Sequence, residues 1–376
     1  MACALLVALF TSLAAAFSGE DAVVVYSPHG EELERDMKAR FEAAHPGIEV
    51  KILDLPAAQI LERLRAEQDR PAADVWWGGV AADFQRAEHE GLLAPHRPAW
   101  HTALPPGGFS PNGFWHALYR TPAVLMYNRN KLKREEVPAT WDALLLPEWH
   151  GKIVIRDVRP SGTMKTIFSS IVWREWKRNN DPEAGFHWLA KLHWNTGAYA
   201  SDPQAMYEML MGQNELCIAP WNMPDVFLQR DINKLPFEFV IPEDAPAPFD
   251  PLALVAGGPH PENGKRFLEF VSSTDELLFA AEKYNRLPAR TDLPKERLPA
   301  WMKDLEFKPL DVDWNEVQRY QDAWIDIWYR TIKSDELPGG GGKPRWGMWL
   351  AIGAVAVALG LIVRKRREDQ AHKGKQ

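Results

Sequence analysis

The chain has 376 residues, an apolar fraction of 46%, a charged fraction of 25% and a formal net charge of −7. That length exceeds one typical hydrophobic core, so two domains are expected. The ordinary apolar fraction excludes a disordered chain, and the acidic excess argues against a nucleic-acid binder.

The two ends are set aside before the fold is read. Residues 1–18, MACALLVALFTSLAAAFS, carry no charge and end in small residues, the pattern of a secretory signal peptide. Of the two cysteines only Cys217 follows that segment, so no internal disulfide is expected, and Cys217 reads as a small buried apolar residue. Residues 337–345 contain an unbroken Gly339–Gly342 run and read as a tether. Trp346 to Val363 is 18 residues without a charge, long enough for a transmembrane helix. The basic tail 364–376 opens RKRR, which the positive-inside rule keeps cytoplasmic. A C-terminal sorting signal is the other reading of this end. Together the ends predict a periplasmic or extracellular body anchored to the cytoplasmic membrane. Without residues 343–376 the chain holds 36 basic and 49 acidic residues, a net of −13. An anionic ligand would then depend on local dipoles and hydrogen bonds.

In chain order, AVVVY (22–26) reads as a strand. The segment after SPHG reads as a helix, with Leu33, Met37, Phe41 and Ala44 on one face. IEVKI (48–52) and ADVWWGG (73–79) are further strands, each followed by a helical segment. This alternation predicts a parallel sheet, with ligands beyond the C-terminal strand ends at Ser27, His29, Trp77 and Gly78. Strand alternation sends one of Trp76 and Trp77 into the core and the other to the opposite face, and Trp77 is the cleft candidate.

A Pro-rich stretch after Pro95 leads to FWHALYRTPAVLMYN (114–128), an extended crossing between domains. A second α/β unit follows. KIVIRD runs into RPSGTMKT (159–166), a strand, a small-residue loop and a helix start. Such a start can bind an anion through its free N–H groups, or be an ordinary N-cap. LCIAP with Trp221 and Asn222 makes another strand end. FEFVIPED (237–244) is the second crossing candidate, DPLALVAGG and GKRFLEFVSS return to the first sheet, and Trp301–Ile332 is helical. The division is residues 19–120 with 247–300 as lobe 1, and 121–246 with 301–336 as lobe 2. Asp225 and Asp250 read as caps or turns, with contact to the amine of a zwitterionic ligand as the other reading. No G-x-S-x-G, H-E-x-x-H, C-x-x-C or Walker A motif is present, so no catalytic reading stands out.

The segments VVVYSPHGEELERDMKARFEAAHPGIEVKI, VPATWDALLLPEWHGKIVIRDVRPSGT and GKRFLEFVSSTDELLFAAEKYNRLPAR resemble bacterial extracellular solute-binding proteins of the ferric-iron-type group. The resemblance spans roughly residues 22–325. It implies an α/β, two-lobed type II periplasmic-binding fold with two hinge crossings, here with an added C-terminal transmembrane helix. It implies a small solute held between lobes and delivered to an ABC permease, by a monomer without cofactor or chemistry of its own. The iron-binding members use two adjacent tyrosines that fall here on Asn222 and Met223. Their acidic ligand falls on Gly79 and their histidine near His29. The anion-binding residues fall on Ser161, Gly162, Thr163 and Ser201, with Trp221 a departure. The resemblance therefore implies a phosphate, phosphonate, organophosphate or carboxylate ligand and no metal. The alternatives are a ferric or other metal binder, a ligand-sensing receptor and a cleft enzyme.

Overall fold

A computed structural model describes residues 21–333, apart from 182, 304, 306 and 307. Within that range the chain divides into two compact units. Unit 1 takes residues up to Arg120 together with Phe249–Leu305, and unit 2 takes Thr121–Pro248 and the residues beyond Leu305.

The first passage through unit 1 alternates strand and helix: β1 (Ala22–Ser27), α1 (Glu31–Ala44), β2 (Glu49–Asp54), α2 (Ala57–Ala66), β3 (Val75–Trp77) and α3 (Ala81–His89). Leu33, Met37 and Phe41 of α1 are buried, as their helical spacing predicts, whereas Ala44, expected on the same face, is exposed at the helix end. The short β4 (Leu93–Ala94) and β5 (His116–Arg120) complete the passage.

Unit 2 then runs β6 (Ala123–Asn128), β7 (Ile153–Arg156), α4 (Gly162–Asn179), α5 (Glu183–Asn195), β8 (Thr196–Ala200), α6 (Pro203–Met211), β9 (Ile218–Asn222), α7 (Met223–Phe227) and β10 (Phe237–Val240). The chain returns to unit 1 with β11 (Phe249–Val255), α8 (Pro261–Val271), α9 (Thr274–Tyr284), β12 (Leu287–Pro288) and α10 (Ala300–Lys303). A last helix, α11 (Trp314–Trp328), belongs to unit 2.

The sheet of unit 1 has the order β12-β5-β11-β3-β1-β2, with β4 pairing β11. β1 is parallel to β2 and β3, whereas β11 is antiparallel to β3 and β5. The sheet is thus mixed, because a strand returning from the other unit fills its centre. Unit 2 has the order β10-β6-β9-β7-β8, with β7 parallel to β8 and β9. The segment expected as the second crossing is instead a full edge strand, with Phe237–Val240 in register with Leu125–Asn128. The chain leaves unit 2 after Pro248.

Trp76 and Trp77 are both 0% exposed. The alternation holds, but each face of the sheet is covered. Trp76 stacks on Phe84 of α3 at 3.9 Å, and Trp77 meets Phe267 of α8 at 5.8 Å. Burial of such side chains contributes about 1.5–3 kcal/mol each.

The expected C-terminal transmembrane helix is not supported by the described residues. No helix among the described residues is long and apolar enough to cross a membrane. The long helix α4 carries Lys165, Arg174, Glu175, Lys177 and Arg178, which rules out a spanning role. Residues 1–18 and the span Trp346–Val363 lie outside the described residues.

Candidate functional site

In unit 1 the C-terminal ends of β1, β3 and β5 and the start of β11 share one sheet edge. Ser27 is fully buried there, and its Oγ accepts the His29 N–H at 3.2 Å. The same hydroxyl lies 3.2 Å from His29 Nδ1. His29 Nε2 meets Asp250 Oδ2 at 2.9 Å, and Asp250 Oδ1 accepts the Gly79 N–H at 2.9 Å. Burial raises the Asp250 carboxyl, but His29, Arg286 and the Gly79 N–H outweigh it and hold the group below the usual carboxylate range. The His29 side chain is 3% exposed, packed 4.6 Å from the Trp77 ring and edge-on to Tyr119 at 5.8 Å.

Gly78 is required by this packing. Its φ is +102°, and a Cβ there would lie 2.4 Å from His29 Cε1. The edge is therefore a closed network in which histidine and carboxylate satisfy one another. Asp250, expected to cap or turn or to meet a ligand amine, is its centre. Nothing in the local string FDPLALV distinguishes it, since its partners come from the distant β1 and β3 loops.

In unit 2 the parallel strands β7, β8 and β9 end at one sheet edge, and each is followed by a helix. Ser161 caps α4: its buried Oγ accepts the Met164 N–H at 3.2 Å. The first N–H groups of a helix have no partner within it. The cap satisfies that of Met164 and leaves those of Gly162 and Thr163 to solvent or a ligand. A Cβ at Gly162 would meet nothing within 4 Å, so the backbone there is open.

Asn222 does a similar job at the end of β9. Its Oδ1 accepts the Asp225 N–H at 3.0 Å, and its Nδ2 donates to Asp225 Oδ2 at 3.0 Å. The Nδ2 also donates to Thr163 Oγ1 at 3.2 Å, joining the α7 start to the α4 start. Ser201 is exposed and donates to Asp202 Oδ2 at 2.7 Å, while Asp202 caps α6 by accepting the Ala205 N–H at 2.9 Å. Trp221 is 3% exposed and belongs to the core below this edge. The structure thus brings Ser161, Gly162, Thr163 and Asn222 together, with Ser201 on the neighbouring strand end.

Among the described residues no group of three or more His, Cys, Asp or Glu could hold a metal ion. The α4 start offers hydrogen-bond donors and a helix dipole, which suit an anion rather than a cation.

Residues 81–316 match the family model described as bacterial extracellular solute-binding protein. The chain belongs to that family. The Sinorhizobium fredii protein y4fP, named as an ABC transporter periplasmic-binding protein, is 25% identical over 83% of this chain and 87% of its own length. A Salmonella typhimurium periplasmic protein named for 2-aminoethylphosphonate binding is 26% identical over 77% of this chain and 85% of its own. Among solved structures, a Trichodesmium protein in complex with iron and citrate ligands superposes with a TM-score of 0.67. That match covers 82% of this chain and 98% of the other at 20% identity, so it speaks for the fold. As a family member the chain is a bacterial extracellular solute-binding protein, and the family is named for binding rather than for a reaction.

Proposed function

We propose that this protein is the extracytoplasmic solute-binding component of an ABC importer, and that its solute is a small anion: a phosphonate, phosphate ester or carboxylate. The observation that carries the reading is the α4 start. Ser161 fixes the turn, the Gly162 and Thr163 N–H groups stay unspent, and Asn222 braces Thr163 from the next strand. Charge-assisted hydrogen bonds to such groups suit a tetrahedral or planar oxyanion. The relative named for 2-aminoethylphosphonate binding supports this ligand class. Asn222 and Met223 stand where the resemblance to the iron binders places two tyrosines, and neither offers an anionic oxygen to a ferric ion.

A thermal-shift panel tests the reading. The purified protein is melted with 2-aminoethylphosphonate, glucose 6-phosphate, citrate, ferric ion and glucose. Stabilisation with one or more anions is expected, growing with the ratio of ligand to Kd. A shift with ferric ion alone, unchanged in Ser161→Ala, would overturn it in favour of metal binding.

A further inference from the structure

Arg156 is the last residue of β7 and pairs with Ala200 of β8. β7 lies between β9 and β8, so Arg156 stands between the strand ends that carry Asn222 and Ser201. Its own strand runs on to the Ser161 cap. Arg156 is half-buried, and its Nε is fully buried without a hydrogen-bond partner.

The other cations near this edge are committed. Arg159 is 3.0 Å from Asp326 and lies over the Tyr329 ring at 4.1 Å. Lys165 is 3.5 Å from Asp322, and Lys333 is 3.6 Å from Asp157. Deeper in the same unit, Arg174 is bound to both Asp142 and Glu175. Among the described residues Arg156 has no carboxylate within 4.0 Å and no hydrogen bond. Asp202 is a neighbour without being a partner. Its carboxyl is held below the usual range first by the Ala205 N–H, then by the Ser201 hydroxyl, and weakly by the charge of Arg156.

A half-buried guanidinium with no partner is costly to keep. Its planar fork matches the paired oxygens of a carboxylate, phosphate or phosphonate. We propose that Arg156 is the counter-charge for the solute's anionic group, gripping two of its oxygens while the Gly162 and Thr163 N–H groups serve the same edge. This rests on the anion reading above and adds the residue that sets its charge preference. It also answers how a chain with a strongly acidic body can hold an anion: the positive charge is local.

Titration calorimetry on the full chain tests this, with 2-aminoethylphosphonate, inorganic phosphate and citrate as probes. For an anion that the wild type binds, Arg156→Gln is expected to weaken binding about ten- to a hundredfold, the range for a hydrogen bond to a charged group. Arg156→Lys should recover only part of that, since an ammonium lacks the fork. The melting temperature of each unliganded variant serves as the folding control. If the wild type binds an anion and folded Arg156→Gln binds it equally, the assignment falls and the anion reading stands. Should the Gln variant fail to fold, a folded Arg156→Lys with wild-type affinity overturns the paired grip. A wild type that binds none of the probes overturns the reading and the assignment together.

Discussion

The two units present the same kind of strand-end edge and use it differently. In unit 1 four polar groups consume each other: Ser27 serves His29, His29 serves Asp250, and Asp250 serves the Gly79 N–H. In unit 2 the side chains Ser161, Asn222 and Asp202 cap helices and leave backbone donors and Arg156 unspent. The Ser27–His29–Asp250–Gly79 chain of unit 1 is internally satisfied, while Trp77 Nε1, Tyr119 Oη and Arg120 Nε beside it are buried without a hydrogen-bond partner. Unit 2 keeps spare positive character. What sets the unit 2 edge apart is the coincidence of an open helix start at Gly162 and Thr163 with the unpartnered Arg156.

The comparison can be broken most forcefully at Asp250. Asp250→Ala leaves His29 and the Gly79 N–H buried without an acceptor, and should cost about 3 kcal/mol, as for removing one partner of a buried charged pair. Urea unfolding at neutral pH reads this. Because the Asp250 carboxyl is held below its unfolded value, its stabilisation is fully present above about pH 4 and is lost as pH falls through the folded value. The variant should therefore lose less stability than the wild type on acidification. Equal acid slopes would show that the network is not a unit.

Gly78→Ala should cost about 2 kcal/mol, from a strained positive φ and a clash with the His29 ring. If unit 2 alone supplies the anion's donors, anion affinity in Gly78→Ala should fall less than stability. The smallest effect is expected for Asn222→Ala, about 1 kcal/mol for a lost N-cap, with a few-fold loss of anion affinity through the freed Thr163. Calorimetry and melting on the same sample separate the two terms. An affinity loss at Gly78 exceeding that at Asn222 would reverse the assignment of roles.

Much of the fold is legible in the sequence. The helical spacing of Leu33, Met37 and Phe41 and the strand–helix alternation are local patterns, and they reappear in the structure. The β10 segment was hidden because FEFV reads as extended in either role, and only its partner strand decides. Trp77 shows a related limit. Its period-2 position is correct, but whether that face is covered depends on α8, which lies far along the chain. At the site, the Ser161 turn is visible as a cap signal. The Thr163–Asn222 bond, the Asp250 network and the isolation of Arg156 are long-range facts without a local signature.

The return of β11 has a consequence for how the protein comes to be folded. β11 lies between β3 and β5 and bonds to both. Residues 21–120 alone therefore hold one three-stranded fragment, β3-β1-β2, and leave β4 and β5 without a partner strand across an empty lane. That lane is filled only by a strand on the far side of residues 121–248, so its closure is a high-contact-order event that should be slow. Unit 2, whose sheet is contained within residues 121–248, can form its strands without waiting. During synthesis the later unit should therefore acquire a finished sheet before the earlier one does.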